Sequence, residues 1–299
     1  MPTLYTQAES NTRKTWFLIF VFLILIISLG WLFSYLLDSY AILAIAVFLS
    51  FLMSFGSYWY SDKLVLNMSK ALQVEKKDYP ELYRSVENLS ITAGLPMPRI
   101  YVADEAQPNA FATGRDPKHS VIVVTKGLLE KLDRTELEGV LAHELAHIGN
   151  KDVLLGTVIV ILVGVVAMLS NLFLRVSFWG GGKKRNSSGS AGLIMLFLGI
   201  AAAILTPIAA TLIRLAVSRK REYLADATGA LLTRYPEGLA RALEKISNDK
   251  TSLKTANNST SHLYISSPFK GIKAENWLTK MYMTHPPIEE RIKILREMR

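Results

Sequence analysis

Four stretches of this sequence, residues 16–37, 41–60, 153–174 and 191–213, contain no Asp, Glu, Lys or Arg. Each is about long enough to cross the hydrocarbon core of a bilayer as a helix. One such run can be a buried core helix, but four in a 299-residue chain of which half is apolar point to an integral membrane protein. The first run is longer than the apolar part of a cleavable signal peptide and has no small-residue cleavage site before Asp38, so it reads as an uncleaved anchor.

Charge orients these runs. The formal net charge of +9 could suggest nucleic acid, yet the basic residues sit at run borders, not along one polar face with interleaved aromatics, so no nucleic-acid partner is expected. Arg13 and Lys14 precede the first run, Lys63 and Lys70 follow the second, and Arg214, Arg219, Lys220 and Arg221 follow the fourth. The loop Asp38-Ser39-Tyr40 has no positive charge. By the positive-inside rule the N-terminus is cytoplasmic, and so, after two crossings, are residues 61–152. The Gly- and Ser-rich loop after the third run opposes this trend with Arg175 and Lys183-Lys184-Arg185, so the last two runs either span against it or enter the bilayer only partly. Cysteine is absent, which removes disulfides and thiolate metal ligands from consideration.

The polar sequence divides into a tail at 1–14, expected to be loosely ordered, and two segments, 61–152 and 218–299, separated by the second apolar pair at 153–217. The first apolar pair occupies 15–60 as a hairpin. Residues 79–93 have helical periodicity through Leu82, Val86 and Leu89 and stop at Gly94-Leu95-Pro96. Residues 99–102 and 120–124 read as short buried strands and 109–113 as a weaker one, with 114–118 turning the last two into a hairpin. Asn109, Ala110 and Phe111 lie on the candidate exposed edge, where an extended peptide can add by backbone hydrogen bonds; a plain structural strand has the same pattern.

Residues 134–148 carry the chemistry. Asp133 and Glu136 have capping-box spacing, Leu137, Val140, Leu141, Leu145 and Ile148 form an apolar face, and Gly149-Asn150 marks the stop. On such a helix His143 and His147 are one turn apart on one face, with Glu144 on the neighbouring flank. Two neutral imidazoles so spaced can grip one Zn²⁺, and a carboxylate beside them can take a proton from water. The chemistry implied is amide hydrolysis; the bland alternative is a surface helix with two exposed histidines.

A catalytic zinc usually takes a third protein ligand. His119, His262 and His285 are each possible, and Glu222 is the better candidate. It shares a helix face with Asp226, so one carboxylate can bind metal while the other orients a ligand histidine. Two apolar runs separate His147 from Glu222, an even number, which returns both to one side of the membrane. Residues 219–232 continue as a polar helix, Pro236 opens another through 246, and 247–261, like 180–190, read as mobile loops. An amphipathic helix begins at Ile288, with Ile288, Ile292 and Leu295 facing inward.

His143-Glu144-Leu145-Ala146-His147, Arg221-Glu222-Tyr223-Leu224-Ala225-Asp226, Pro108-Asn109-Ala110-Phe111-Ala112 and Thr284-His285-Pro286-Pro287, placed around apolar runs in this order, resemble the HtpX-type membrane zinc metalloproteases. These are relatives of the CAAX prenyl endopeptidases, and the resemblance covers nearly the whole chain. It implies an α+β fold: a mainly α-helical integral membrane protein with four apolar helices and a cytoplasmic, gluzincin-like zincin domain carrying a small β-sheet. It implies one zinc held by His143, His147 and Glu222, Glu144 as general base, and Asp226 orienting His143. His285 and Arg291 match a late His-Pro-Pro…Arg motif, which implies oxyanion stabilisation or shaping of the cleft. The expected role is quality control at the cytoplasmic face of a bacterial inner membrane, cutting misfolded or damaged membrane proteins. Two other readings compete: a prenyl-peptide processing protease, disfavoured by only four apolar runs, and a non-catalytic scaffold with structural zinc, disfavoured by Glu144.

Overall fold

The computed structural model describes residues 4–36, 38–179, 197–198, 200–201, 204–205, 208, 219–249, 251, 265 and 286–298. Two long apolar helices, α1 (Leu4–Leu36) and α2 (Tyr40–Trp59), form the N-terminal hairpin. Helix α1 begins well before its apolar run, so the tail expected to be loosely ordered is helical from Leu4. Partners for its polar groups explain this: Asn11 and Thr15 are both fully buried, with Asn11 Nδ2 donating to Asn150 O at 3.1 Å and Thr15 Oγ1 to Asn11 O at 2.8 Å.

After a short helix α3 (Ser61–Met68), strands β1 (Ala71–Gln73), β2 (Arg99–Ala103), β3 (Ala110–Gly114) and β4 (Ser120–Thr125) build a sheet ordered β1-β2-β4-β3. β3 and β4 are antiparallel, as the turn between them predicts, with Ala112 opposite Ile122. β2 runs parallel to β4, and β1, absent from the periodicity, adds antiparallel to β2. Both faces of the sheet are covered. Ile100, Val102, Ala110, Ala112, Ile122 and Val124 join the main core, while Phe111, Val121 and Val123 pack with Val65, Leu66 and Val160 on the other side. Burial on both faces is why β4 reads as an unbroken apolar run.

The main core is closed by α4 (Pro80–Ala93), α5 (Lys126–Lys131), α6 (Arg134–Gly149), α8 (Arg219–Thr233), α9 (Pro236–Asn248) and α10 (Ile288–Glu297). Between α6 and α8 runs α7 (Asp152–Trp179). Two helical stretches, Glu9–Tyr35 and Asp152–Asn171, are long and apolar enough to cross a membrane, and Tyr40–Gly56 is a shorter apolar one. Four such helices were expected; most of 191–213 lies outside the described residues, as do most of the loops at 180–190 and 247–261. Helix α7 also serves the protein interior: Leu155, Val158, Ile159, Leu162 and Val166 pack against Leu18, Ile19, Phe22 and Ile26 of α1.

Helix α6 starts on the expected capping box. Asp133 Oδ1 accepts from Glu136 N at 3.0 Å, and Glu136 Oε2 accepts from Asp133 N at 2.9 Å. Asp133→Ala is expected to cost about 1 kcal/mol in unfolding of the purified chain. The Glu136 N–H holds the Asp133 carboxyl below its usual range. The cap's contribution is therefore complete above about pH 4 and is lost as pH falls further, so the difference between wild type and variant narrows in acid.

Candidate metal centre

Helix α6 crosses the core with His143 and Glu144 both buried and His147 partly buried. Two glycines bring neighbouring backbones close to it. A Cβ on Gly139 would lie 2.7 Å from Leu239 N at the start of α9, and one on Gly229 of α8 would lie 3.1 Å from His143 N. The second approach brings the polar face of α8, with Glu222 and Asp226, over the two histidines.

His143 Nε2 and His147 Nε2 face each other at 3.1 Å. Glu222 Oε1 is 3.5 Å from His147 Nε2, and Oε2 is 3.9 Å from His143 Nε2. One ligand atom from each residue lies within 4.8 Å of the others, a cluster able to hold a metal ion. Two nitrogens sharing a tetrahedral zinc at about 2.05 Å would be about 3.3 Å apart, close to the spacing seen.

Each imidazole is backed by a carboxylate, and each carboxylate by an arginine. On one side His143 Nδ1 is 3.0 Å from Asp226 Oδ1, near in distance although not aligned as a hydrogen bond. Arg291 grips Asp226 with two hydrogen bonds, Nε to Oδ2 at 2.8 Å and Nη2 to Oδ1 at 2.7 Å. On the other side His147 Nδ1 lies 2.9 Å from Asp152 Oδ2, and Arg221 Nε lies 3.2 Å from Asp152 Oδ1. The His147 Nδ1 hydrogen bond to Asp152 leaves its Nε2 lone pair for the shared space, which His143 Nε2 also faces. Two such acceptors 3.1 Å apart repel unless a cation lies between them.

The charges agree. Among the described residues, the carboxylates of Glu144, Asp152, Glu222 and Asp226 lie around the site with the guanidiniums of Arg221 and Arg291, an excess of acidic groups that suits a cation. Burial opposes protonation of His147, but its hydrogen bond to Asp152 and the charges of Glu222, Asp152 and Glu144 outweigh it, raising the pKa to about 9. A cation is thus favoured at this position, whether proton or metal. Burial alone would raise the Asp226 carboxyl, but Arg291 and His143 hold it down to about 2.

Glu144 differs from its neighbours. It is 5% exposed and makes no hydrogen bond or ion pair among the described residues. Its charge acts on His147 and Arg291 without a hydrogen bond among the described residues, which suits a group that must exchange protons.

The sequence match decides the family: the model for peptidase family M48 covers residues 76–299. The chain belongs to peptidase family M48. The "Protease HtpX homolog" of Dictyoglomus turgidum is 45% identical over 99% of this chain and 95% of its own length. That of Streptococcus gordonii is 39% identical over 99% of this chain and 100% of its own. A crystal structure of S. mikatae Ste24p shares the fold, with a TM-score of 0.50 and 23% identity over 94% of this chain and 66% of the Ste24p chain. As an M48 peptidase, the protein is a membrane-bound zinc metalloprotease, which sets aside the non-catalytic scaffold.

Among the residues singled out by sequence, His143, Glu144, His147, Glu222, Asp226 and Arg291 come together in this M48 protein. His285 and His262 lie outside the described residues. His119, another possible ligand, instead pairs with Asp116 Oδ1 at 2.8 Å in an exposed turn. Arg291 is 1% exposed and bound to Asp226 through Nε and Nη2, with Nη1 3.4 Å from Glu222 Oε2 and without a hydrogen bond among the described residues.

The exposed edge strand also needs correction. β3 is the edge by pairing, but every residue in it is buried, because α3, α6 and α7 pack around it. Phe111 belongs to the core, and Asn109 Oδ1 accepts from Ile265 N at 3.0 Å. Sequence reasoning missed Asp152, Arg221 as its partner, and Asn11. A carboxylate five residues after His147 is off the histidine face of a continuous helix; the turn at Lys151, with φ of 55°, swings it back.

Proposed function

We propose that this M48 peptidase cuts misfolded or damaged membrane proteins in their cytoplasmic segments, at the membrane face. The observation that carries the catalytic part is the buried Glu144, without a hydrogen bond among the described residues, beside three converging ligand atoms. The cytoplasmic placement rests on the basic borders of the apolar runs, and the membrane setting on the two helical stretches long and apolar enough to span.

His143, His147 and Glu222 would hold the zinc, the donor set being two imidazole nitrogens and a carboxylate oxygen. Zinc supplies Lewis acidity there, making water more acidic and polarising a carbonyl. Glu144 takes the proton from the attacking water and delivers it to the leaving nitrogen. Asp226 and Asp152 hold the two imidazoles with Nε2 directed inward, and Arg291 keeps Asp226 and Glu222 in place. An extended substrate lies along the outer edge of β3, which among the described residues has a sheet partner on one side only. Asn109, Ala110 and Phe111 are buried and support that strand from within the core.

The test is cleavage of a casein-like unfolded substrate by detergent-purified protein, with and without a chelator. Chelator-sensitive cutting is expected; a prenylated peptide cleaved in preference to the unfolded substrate would move the assignment to prenyl-peptide processing. Glu222→Ala is expected to purify with little zinc, measured by metal analysis against wild type. Full occupancy in that variant would reassign the third ligand to a residue outside this cluster.

A further inference from the structure

We infer that Asn11, on the N-terminal apolar helix, is a positioning residue of the zinc centre, acting through Asp152 on His147. The inference rests on the reading of His147 as a zinc ligand. Asn11 is 0% exposed, and both ends of its amide are used. Nδ2 donates to Asp152 Oδ1 at 2.7 Å and to Asn150 O at 3.1 Å, while Oδ1 accepts from Arg221 Nη1 at 3.4 Å. These partners set the orientation of the amide: a carboxylate and a carbonyl require the NH₂ end, and a guanidinium requires the oxygen.

The two histidines show why a second donor is needed. Asp226, behind His143, is clamped by two hydrogen bonds from the Arg291 fork. Asp152, behind His147, has a guanidinium contact from Arg221 Nε at 3.2 Å. Asn11 Nδ2 supplies another, so that Oδ1 is held by two donors and Oδ2 is left for His147 Nδ1. A carboxylate fixed at one oxygen fixes the plane of the ring bonded to the other.

Asn11 lies before residue 76, where the match to the family model begins. The metal centre therefore takes one of its supports from the membrane hairpin. Helix α1 is seated by apolar packing of Leu18, Ile19, Phe22 and Ile26 against α7, whose first residue is Asp152. Seating of the first helix and grip on zinc are consequently coupled through one buried side chain.

The coupling is tested by zinc dissociation constants from chelator competition, on the full detergent-purified chain in a Glu144→Gln background that prevents self-cutting. Asp152→Ala is expected to weaken zinc about 10- to 100-fold and Asn11→Ala about tenfold, the range for groups that orient metal-ligating side chains. The double variant should bind no more weakly than Asp152→Ala alone, because Asn11 acts only through Asp152. Thr15→Val, which removes the buried hydroxyl one turn along the same helix, should bind zinc as the parent does. Should Asn11→Ala fail to fold, the isosteric Asn11→Asp serves: it puts a carboxylate against Asp152 and should weaken zinc at least as much. Unchanged affinity in the Asn11 variants, additive effects in the double variant, or an equal loss in Thr15→Val would each overturn the inference. A parent that binds no zinc would instead overturn the ligand assignment beneath it.

Discussion

Glu144→Gln is expected to retain zinc and to lower peptide hydrolysis by about 10²- to 10⁴-fold, the contribution typical of a positioned general base. The substitution preserves shape, and the amide oxygen can still hydrogen-bond, but it cannot accept and pass on a proton. Glu144 has no hydrogen bond or ion pair among the described residues to lose, so folding should be preserved. The measurement is a paired one, zinc content and turnover of an unfolded substrate on the same preparation. Turnover near wild type would remove Glu144 from the mechanism, whereas loss of zinc with turnover would make it a ligand.

Arg291→Ala is expected to have the largest effect on stability, about 3–5 kcal/mol, because it strands two buried carboxylates that the guanidinium now compensates. Asp226 and Glu222 have side-chain exposures of 1% and 8%, and both lie within ion-pair distance of Arg291. Without that charge, burial pushes the Asp226 carboxyl upward from its present value of about 2. Zinc binding should weaken with it, since Asp226 faces His143 and Glu222 completes the cluster. Chemical unfolding of detergent-purified protein measures the first effect and metal analysis the second. Arg291→Lys is expected to fall between wild type and Arg291→Ala, restoring charge without the two-pronged grip. A stability within about 1 kcal/mol of wild type for Arg291→Ala would mean that the buried pair contributes little here.

The parts of the site that sequence reveals are those carried by one helix. The capping box at Asp133, the apolar period from Leu137 to Ile148 and the four-residue spacing of His143 and His147 are local, and the helix has the expected start and face. Glu222 and Asp226 are similarly legible as a pair, one turn apart on α8. What is not legible joins elements remote in sequence. Asn11 meets Asp152 across 141 positions, and Arg291 meets Asp226 across 65. The parallel pairing of β2 with β4 and the addition of β1 depend on which edges α3, α4 and α6 leave open, and the short apolar runs are silent about it.

By itself the sequence determined the chemistry available: two imidazoles and a carboxylate on one helix, a second pair of carboxylates on another, and apolar runs between them, because helical period alone decides which side chains share a face. Only the tertiary structure decided that each histidine is backed by its own carboxylate and arginine, that Arg291 joins Asp226 and Glu222, and that the N-terminal helix reaches the centre through Asn11. The physical reason is that a buried polar group must be paired. Which partner it finds depends on how helices pack and on one left-handed turn at Lys151, neither of which leaves a periodic trace along the chain.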